Sequence, residues 1–147
     1  MLEAFNSAVD AAKIDGVTDS LELAYIGREA AMEIIDGFKW GEYLKSLIGD
    51  PSSDMLRPHA HHILFKDGLG PAQKELVKEG QEILFSYGLD PIKGVENLVW
   101  APNKAGQHTL ANLEHIVSEL RNIYNAGGTK KQIINKLREL GEEAARR

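Results

Sequence analysis

The sequence predicts an α+β fold, mostly helical, with a minimal two-stranded sheet. Three observations lead there. Apolar residues recur at helical spacing through most of the 147 residues. Two short apolar runs, Ile63-Leu64-Phe65 and Leu98-Val99-Trp100-Ala101, break that rhythm and read as buried strands. Glycines, prolines and capping residues punctuate the chain between these segments.

In order, Leu2, Phe5, Val9 and Ala12 predict a helix over residues 2–14. A second helix is expected over about 19–35, with Leu21, Ala24, Ala31, Ile34 and Ile35 inward. A third follows Gly37, and its apolar face is Trp40, Tyr43, Leu44, Leu47 and Ile48. The run from Gly49 to Asp54 is a break, rich in turn formers. It divides the chain into an N-terminal helical segment, residues 1–50, and a second unit, residues 55–147.

The second unit opens on Arg57-Pro58-His59-Ala60-His61-His62, which leads into the first strand. Asp67-Gly68-Leu69-Gly70 then turns the chain, and Pro71 suits a first helical position. That helix is expected to run to about Tyr87 on a core of Leu76, Val77, Ile83 and Leu84. The second strand lies within the run Glu96 to Pro102 and begins at Asn97. Thr109 or Gln107 caps the next helix, which runs to about Asn125 and stops at Ala126-Gly127-Gly128. Thr129-Lys130-Lys131-Gln132 has capping-box form and starts the last helix, packed through Ile133, Ile134, Leu137 and Leu140. Arg146 and Arg147 read as a frayed end.

The chain has five histidines, and three fall within four residues at His59, His61 and His62. Successive strand side chains point to opposite faces, so His61 and His62 share a site only at a strand mouth or a bulge. His59 shares the face of His61 on a regular strand. His108 and Asn112, four apart at a helix start, stack on one face, and His115 lies further along it. Each residue also has a plainer reading. His62 before Ile63 suits a satisfied buried histidine, Asn97 suits a turn cap, and His108 and Asn112 suit an ordinary helix N-terminus.

The ordered blocks Ala60-His61-His62-Ile63, Glu96-Asn97-Leu98-Val99-Trp100-Ala101-Pro102-Asn103-Lys104 and His108-Thr109-Leu110-Ala111-Asn112 resemble the His-Asn-His (HNH) endonucleases. Within that superfamily they are most similar to the branch named for its Ala-His-His motif, the AHH nucleases. The likeness covers about residues 57–125 and includes a helical insert between the two strands. It implies a ββα-metal nuclease core over residues 55–147 and a metal-dependent endonuclease cutting DNA, with RNA cleavage or a non-catalytic metal- or nucleic-acid-binding module as alternatives. It implies that His61, His108 and Asn112 hold a divalent metal (Mg, Mn, Ni or Zn), with His115 in place of Asn112 as an alternative. His62 would take a proton from water, and Asn97 would orient His62. Outside the family motif, His59 reads as a support for the site residues or a substrate contact, and Lys104 and His115 read as substrate contacts. Family members are mostly C-terminal modules of bacterial polymorphic toxins. The resemblance therefore implies an effector delivered into target cells as part of a larger toxin, acting in the recipient cytoplasm, with a cognate immunity protein.

Composition sets limits on this. The absence of cysteine excludes a disulfide framework and a cysteine zinc knuckle. No apolar run approaches membrane-spanning length. Residues 1–12 carry Glu3 and Asp10 and no basic stretch, unlike a signal peptide. The net charge of −5 gives nucleic-acid binding no support by itself. Its distribution is uneven, however. Residues 1–50 hold ten acidic against four basic side chains, whereas residues 51–147 hold twelve against thirteen. The acidic segment reads as a helical scaffold or as an inhibitory or adaptor element.

Overall fold

The computed structural model describes residues 38–147. The helices expected over 2–14 and 19–35 lie outside the described residues. The described chain is α+β. Its elements are α1 (Trp40–Ile48), β1 (Pro58–His62), α2 (Gly70–Ser86), a 3-10 turn (Val95–Asn97), β2 (Leu98–Pro102), α3 (Leu110–Asn125) and α4 (Lys130–Ala145).

The local signals for the helices hold. Pro71 occupies the first turn of α2. Thr109 caps α3, its Oγ1 accepting from the Asn112 amide at 3.1 Å. Thr129 and Gln132 form the capping box of α4, with bonds of 3.2 and 2.8 Å. Among the described residues no helix is long and apolar enough to cross a membrane.

β1 and β2 form one antiparallel pair in which His59 faces Ala101, Ala60 faces Trp100, His61 faces Val99 and His62 faces Leu98. Cross-strand partners share a face. His59, His61, Val99 and Ala101 therefore look one way, and Ala60, His62, Leu98 and Trp100 the other. The first face meets the larger core, where Leu113, Ile116, Val117 and Leu120 of α3 pack with Ile133, Leu137 and Leu140 of α4 and with Val77 and Leu84 of α2. The second face is covered by α1 through Trp40 and Leu44, with Ile92 beside them. α1 thus packs across the Gly49–Asp54 break onto the strands, and the Trp100 indole N–H donates to the Gly49 carbonyl at 2.8 Å. Leu47 and Ile48, expected on the apolar face of α1, are about half exposed.

The first strand differs from the sequence expectation. It ends at His62, and Ile63-Leu64-Phe65 forms a buried bend after it. The cause lies in Asn97, itself buried. Its side-chain oxygen accepts from Leu64 N at 2.7 Å, and its side-chain nitrogen donates to Leu64 O at 3.0 Å and Pro91 O at 2.7 Å. Its backbone carbonyl accepts from Ile63 N at 2.8 Å. These bonds satisfy the bend without a strand ladder.

α2 lies against that bend. A methyl group at Gly80 would stand 2.6 Å from the Leu64 side chain, so any larger residue there would make the buried Leu64 shift. The last helix ends in a docked turn. Gln107, fully buried, donates to Pro102 O and Ala144 O, each at 3.0 Å, and accepts from the Arg147 guanidinium at 3.0 Å. Lys104 Nζ donates to the Arg147 carbonyl. The expected fraying of Arg146 and Arg147 is corrected here: at Arg147 these side-chain bonds hold the end in place.

Candidate metal centre

Regular alternation on β1 carries His59 and His61 to the same face. His108 reaches them from the loop before α3. Its carbonyl accepts from Gln73 of α2 at 3.3 Å, and its ring packs on Phe65 at 5.1 Å between centroids. The His61 ring lies 5.0 Å from that of His108 and 5.4 Å from that of His59. One ring nitrogen from each of the three lies within 4.8 Å of the others. Two nitrogens bound to one tetrahedral zinc at 2.0–2.1 Å stand about 3.4 Å apart, so modest ring rotations close the triangle on an ion.

The protonation states suit ligation. A carbonyl only accepts, so the 2.9 Å contact between His59 Nδ1 and Ala101 O fixes the proton on Nδ1. The lone pair of His59 is then on Nε2, which is buried and has no hydrogen-bond partner. This carbonyl-to-imidazole arrangement is the usual support of a metal-bound histidine. His61 is 1% exposed, and neither of its ring nitrogens has a hydrogen-bond partner. Burial, followed by the neighbouring His108, His59, His62 and Arg147, holds its basicity well below the ordinary histidine value. A buried neutral imidazole with open nitrogens carries an unmet desolvation cost. A cation shared with His59 and His108 meets that cost. The donor set thus fits a borderline divalent metal without selecting one.

The structure brings together two of the five residues expected to converge, His61 and His108. It adds His59, expected to support the site residues or to contact substrate. The other placements differ. β1 has no bulge, so His62 turns to the opposite face, where its Nε2 donates to Ile92 O at 2.8 Å and its ring meets Trp40 edge-on at 4.7 Å. Asn97 binds the Leu64 backbone and Pro91 rather than His62. Asn112 turns back, its side-chain nitrogen donating to Gly106 O at 2.7 Å and Gln107 O at 3.3 Å. It thereby ties down the loop that carries His108. His115, exposed on α3, reaches Glu143 of α4 with its Nε2 at 3.2 Å, and Lys104 reaches the Arg147 carbonyl.

Sequence reasoning missed His59 as a candidate ligand, although the His59–His61 spacing of two signalled it. It also missed Arg147, whose charge reaches His61 only through the docking of α4. Comparison with family models, curated proteins and solved structures found no match, so function must be read from the three imidazoles and their surroundings.

Proposed function

We propose that the chain is a metal-dependent phosphodiester hydrolase, an endonuclease acting on DNA, with His59, His61 and His108 as its metal ligands. The observation that carries this reading is His61, a buried neutral imidazole with two open nitrogens inside a triangle of histidines. His59 and His108 are only partly buried, so the centre lies near the surface on their side. Three protein ligands and an open position suit catalysis, whereas purely structural zinc sites usually close with four. A bound divalent ion supplies positive charge for the scissile phosphate and acidifies water. The chain's own residues position two of the three histidines, Ala101 O accepting from the His59 ring and Gln73 donating to the His108 backbone carbonyl, and place Arg147 nearby. The Ala60-His61-His62 likeness supports the narrower reading of a toxin effector module with a cognate immunity protein. It also supports a ββα-metal core formed by β1, β2 and α3.

One observation favours a second reading. His62 is turned away from the centre, so the expected proton acceptor is not beside it. A non-catalytic metal-binding module would look the same. Plasmid nicking with Mg, Mn, Ni or Zn, and with EDTA, separates the two. The endonuclease reading expects nicking that EDTA stops and that His59→Ala, His61→Ala and His108→Ala each abolish. Metal binding without nicking under any of the four ions establishes the second reading.

A further inference from the structure

A cavity of about 420 Å³ opens where the loop before β1, the end of β2 and the last turn of α4 meet. Four cationic residues line it, Arg57, Lys104, Arg146 and Arg147, against one carboxylate, Asp54. Asp54 is already engaged by the Ser52 hydroxyl. Arg146 reaches only a loose, exposed contact with Glu142 at 3.9 Å. The Arg57 guanidinium has no carboxylate partner among the described residues. Its backbone has φ 43°, a left-handed conformation that an arginine rarely adopts. The Asn103 amide holds it there through a 2.9 Å bond to the Arg57 carbonyl. Such strain persists only where the surroundings impose it. Arg147 is partly desolvated, with Gln107 positioning one nitrogen of its planar fork.

The cavity is next to the histidine centre in the chain and in charge. Pro102, which lines it, follows Ala101, whose carbonyl orients His59. Arg57 lies two residues before His59, and the charge of Arg147 is felt at His61. Guanidinium groups at fixed positions suit phosphate oxygens better than any neutral ligand.

We propose that this cavity is a phosphate subsite, in which Arg57 and Arg147 hold a backbone phosphate of the nucleic acid whose neighbouring linkage lies at the metal centre. The proposal rests on the phosphodiesterase reading for the identity of the ligand, and the cavity's preference for a phosphate does not depend on cleavage. The subsite gives the near-neutral residues 51–147 a local positive surface that the overall charge conceals.

The test is fluorescence anisotropy of the full chain with labelled DNA and RNA duplexes of one sequence, in EDTA, over a range of salt. The variants are Arg57→Asn, since asparagine tolerates a left-handed backbone, and Arg57→Asn combined with Arg147→Gln. Lys78→Gln with Lys131→Gln, two exposed positions elsewhere, serves as the charge-matched control. Arg147→Lys keeps the charge. The expected result for the double variant is about tenfold or greater loss of affinity on at least one polymer, with the log–log salt slope reduced by about two. Arg147→Lys recovers most of the affinity, and calorimetric zinc binding stays at the native level. The polymer affected identifies the ligand as DNA or RNA. The proposal is overturned if neither polymer binds the native chain, or if the double variant binds as the native chain does. It is equally overturned if the control pair loses as much. If the double variant does not melt as a folded protein, Arg57→Asn alone carries the same outcomes. Phosphate binding that depends on the two arginines, without nicking under any metal, removes the nuclease reading and leaves the subsite. Metal-dependent nicking with undiminished binding by the double variant does the reverse.

Discussion

The two faces of the small sheet treat neighbouring histidines in opposite ways. On one, His61 is buried with both ring nitrogens open and two other imidazoles within reach. On the other, His62 is equally buried, but its Nε2 is committed to the Ile92 carbonyl and its ring to Trp40. Burial is the same and residue type is the same, and only strand parity differs. Burial alone therefore does not mark a ligand. What distinguishes His61 is burial beside two further imidazoles whose nitrogens lie within reach of its own, because an ion held by all three would offset the cost of burial.

The largest expected effect comes from removing what holds both faces at once. Asn97→Ala strands the Leu64 amide and the carbonyls of Leu64 and Pro91. At roughly 1 kcal/mol or more for each buried group, the loss is about 3 kcal/mol or greater. Thermal melting should fall by roughly 10 °C. A melting point within a degree or two of the native value would mean that the bend does not depend on this side chain, and the contrast between faces would need another cause.

A smaller effect sharpens the contrast directly. His61→Ala should lower zinc affinity by more than about 100-fold, the upper end of what loss of an outer support causes. Stability of the metal-free chain should change little, since the cavity left behind is offset by removal of an unsatisfied imidazole. His62→Ala should do the opposite, keeping zinc affinity while losing about 1–3 kcal/mol of stability with its hydrogen bond and its contact to Trp40. Calorimetric titration and denaturant melts on both variants read the two axes. If His62→Ala loses the metal instead, the parity of β1 assigned above is reversed in solution.

Much of this was legible in the sequence wherever the signal was local. The caps at Thr109 and Thr129, Pro71 at the start of α2 and the order of the elements each depend on residues within a turn of one another. The direction of His62 was also legible from alternation, and its expected role required a bulge or a strand mouth that turned it back; β1 has no bulge, and at its end His62 keeps the alternate face. What sequence could not supply was contact at a distance. The bend at Ile63 depends on Asn97, more than thirty residues away, and that asparagine looks like a turn cap when read in place. Arg147 looks like a frayed end until Gln107 is seen to be buried beneath it. Asn112 fell on the expected helical face, yet its side-chain nitrogen donates to two carbonyls of the loop before the helix.

The smallest effect sits far from both faces and calibrates the rest. Glu79 of α2 and Arg121 of α3 form a two-pronged ion pair at 2.5 and 2.8 Å. The hydrogen bond from Arg121 holds the Glu79 carboxyl below its ordinary value. Both side chains are 38% exposed, so solvent screening keeps the pair under about 1 kcal/mol. A depressed folded pKa means the contribution is present above the unfolded value of about 4.3 and fades as pH falls through the folded one. Glu79→Gln should therefore cost less than about 1 kcal/mol at pH 7 and nothing once the native carboxyl is also protonated. The zinc affinity of that variant should match the native chain, and a change there would show that the helices, and not the strand faces, set the metal centre.

The amide of Asn97 has the donor and acceptor of a peptide group, and it stands where the next rung of the β ladder would be. One side chain thus acts as a strand one residue long. Its effect reaches the oily interior. Along a true strand, consecutive side chains must part to opposite sides. Released from that rule while its hydrogen bonds stay met, the stretch Ile63-Leu64-Phe65 delivers three large neighbours in a row to the same core. A polar residue with no apolar contribution of its own thereby decides how many apolar ones the interior receives.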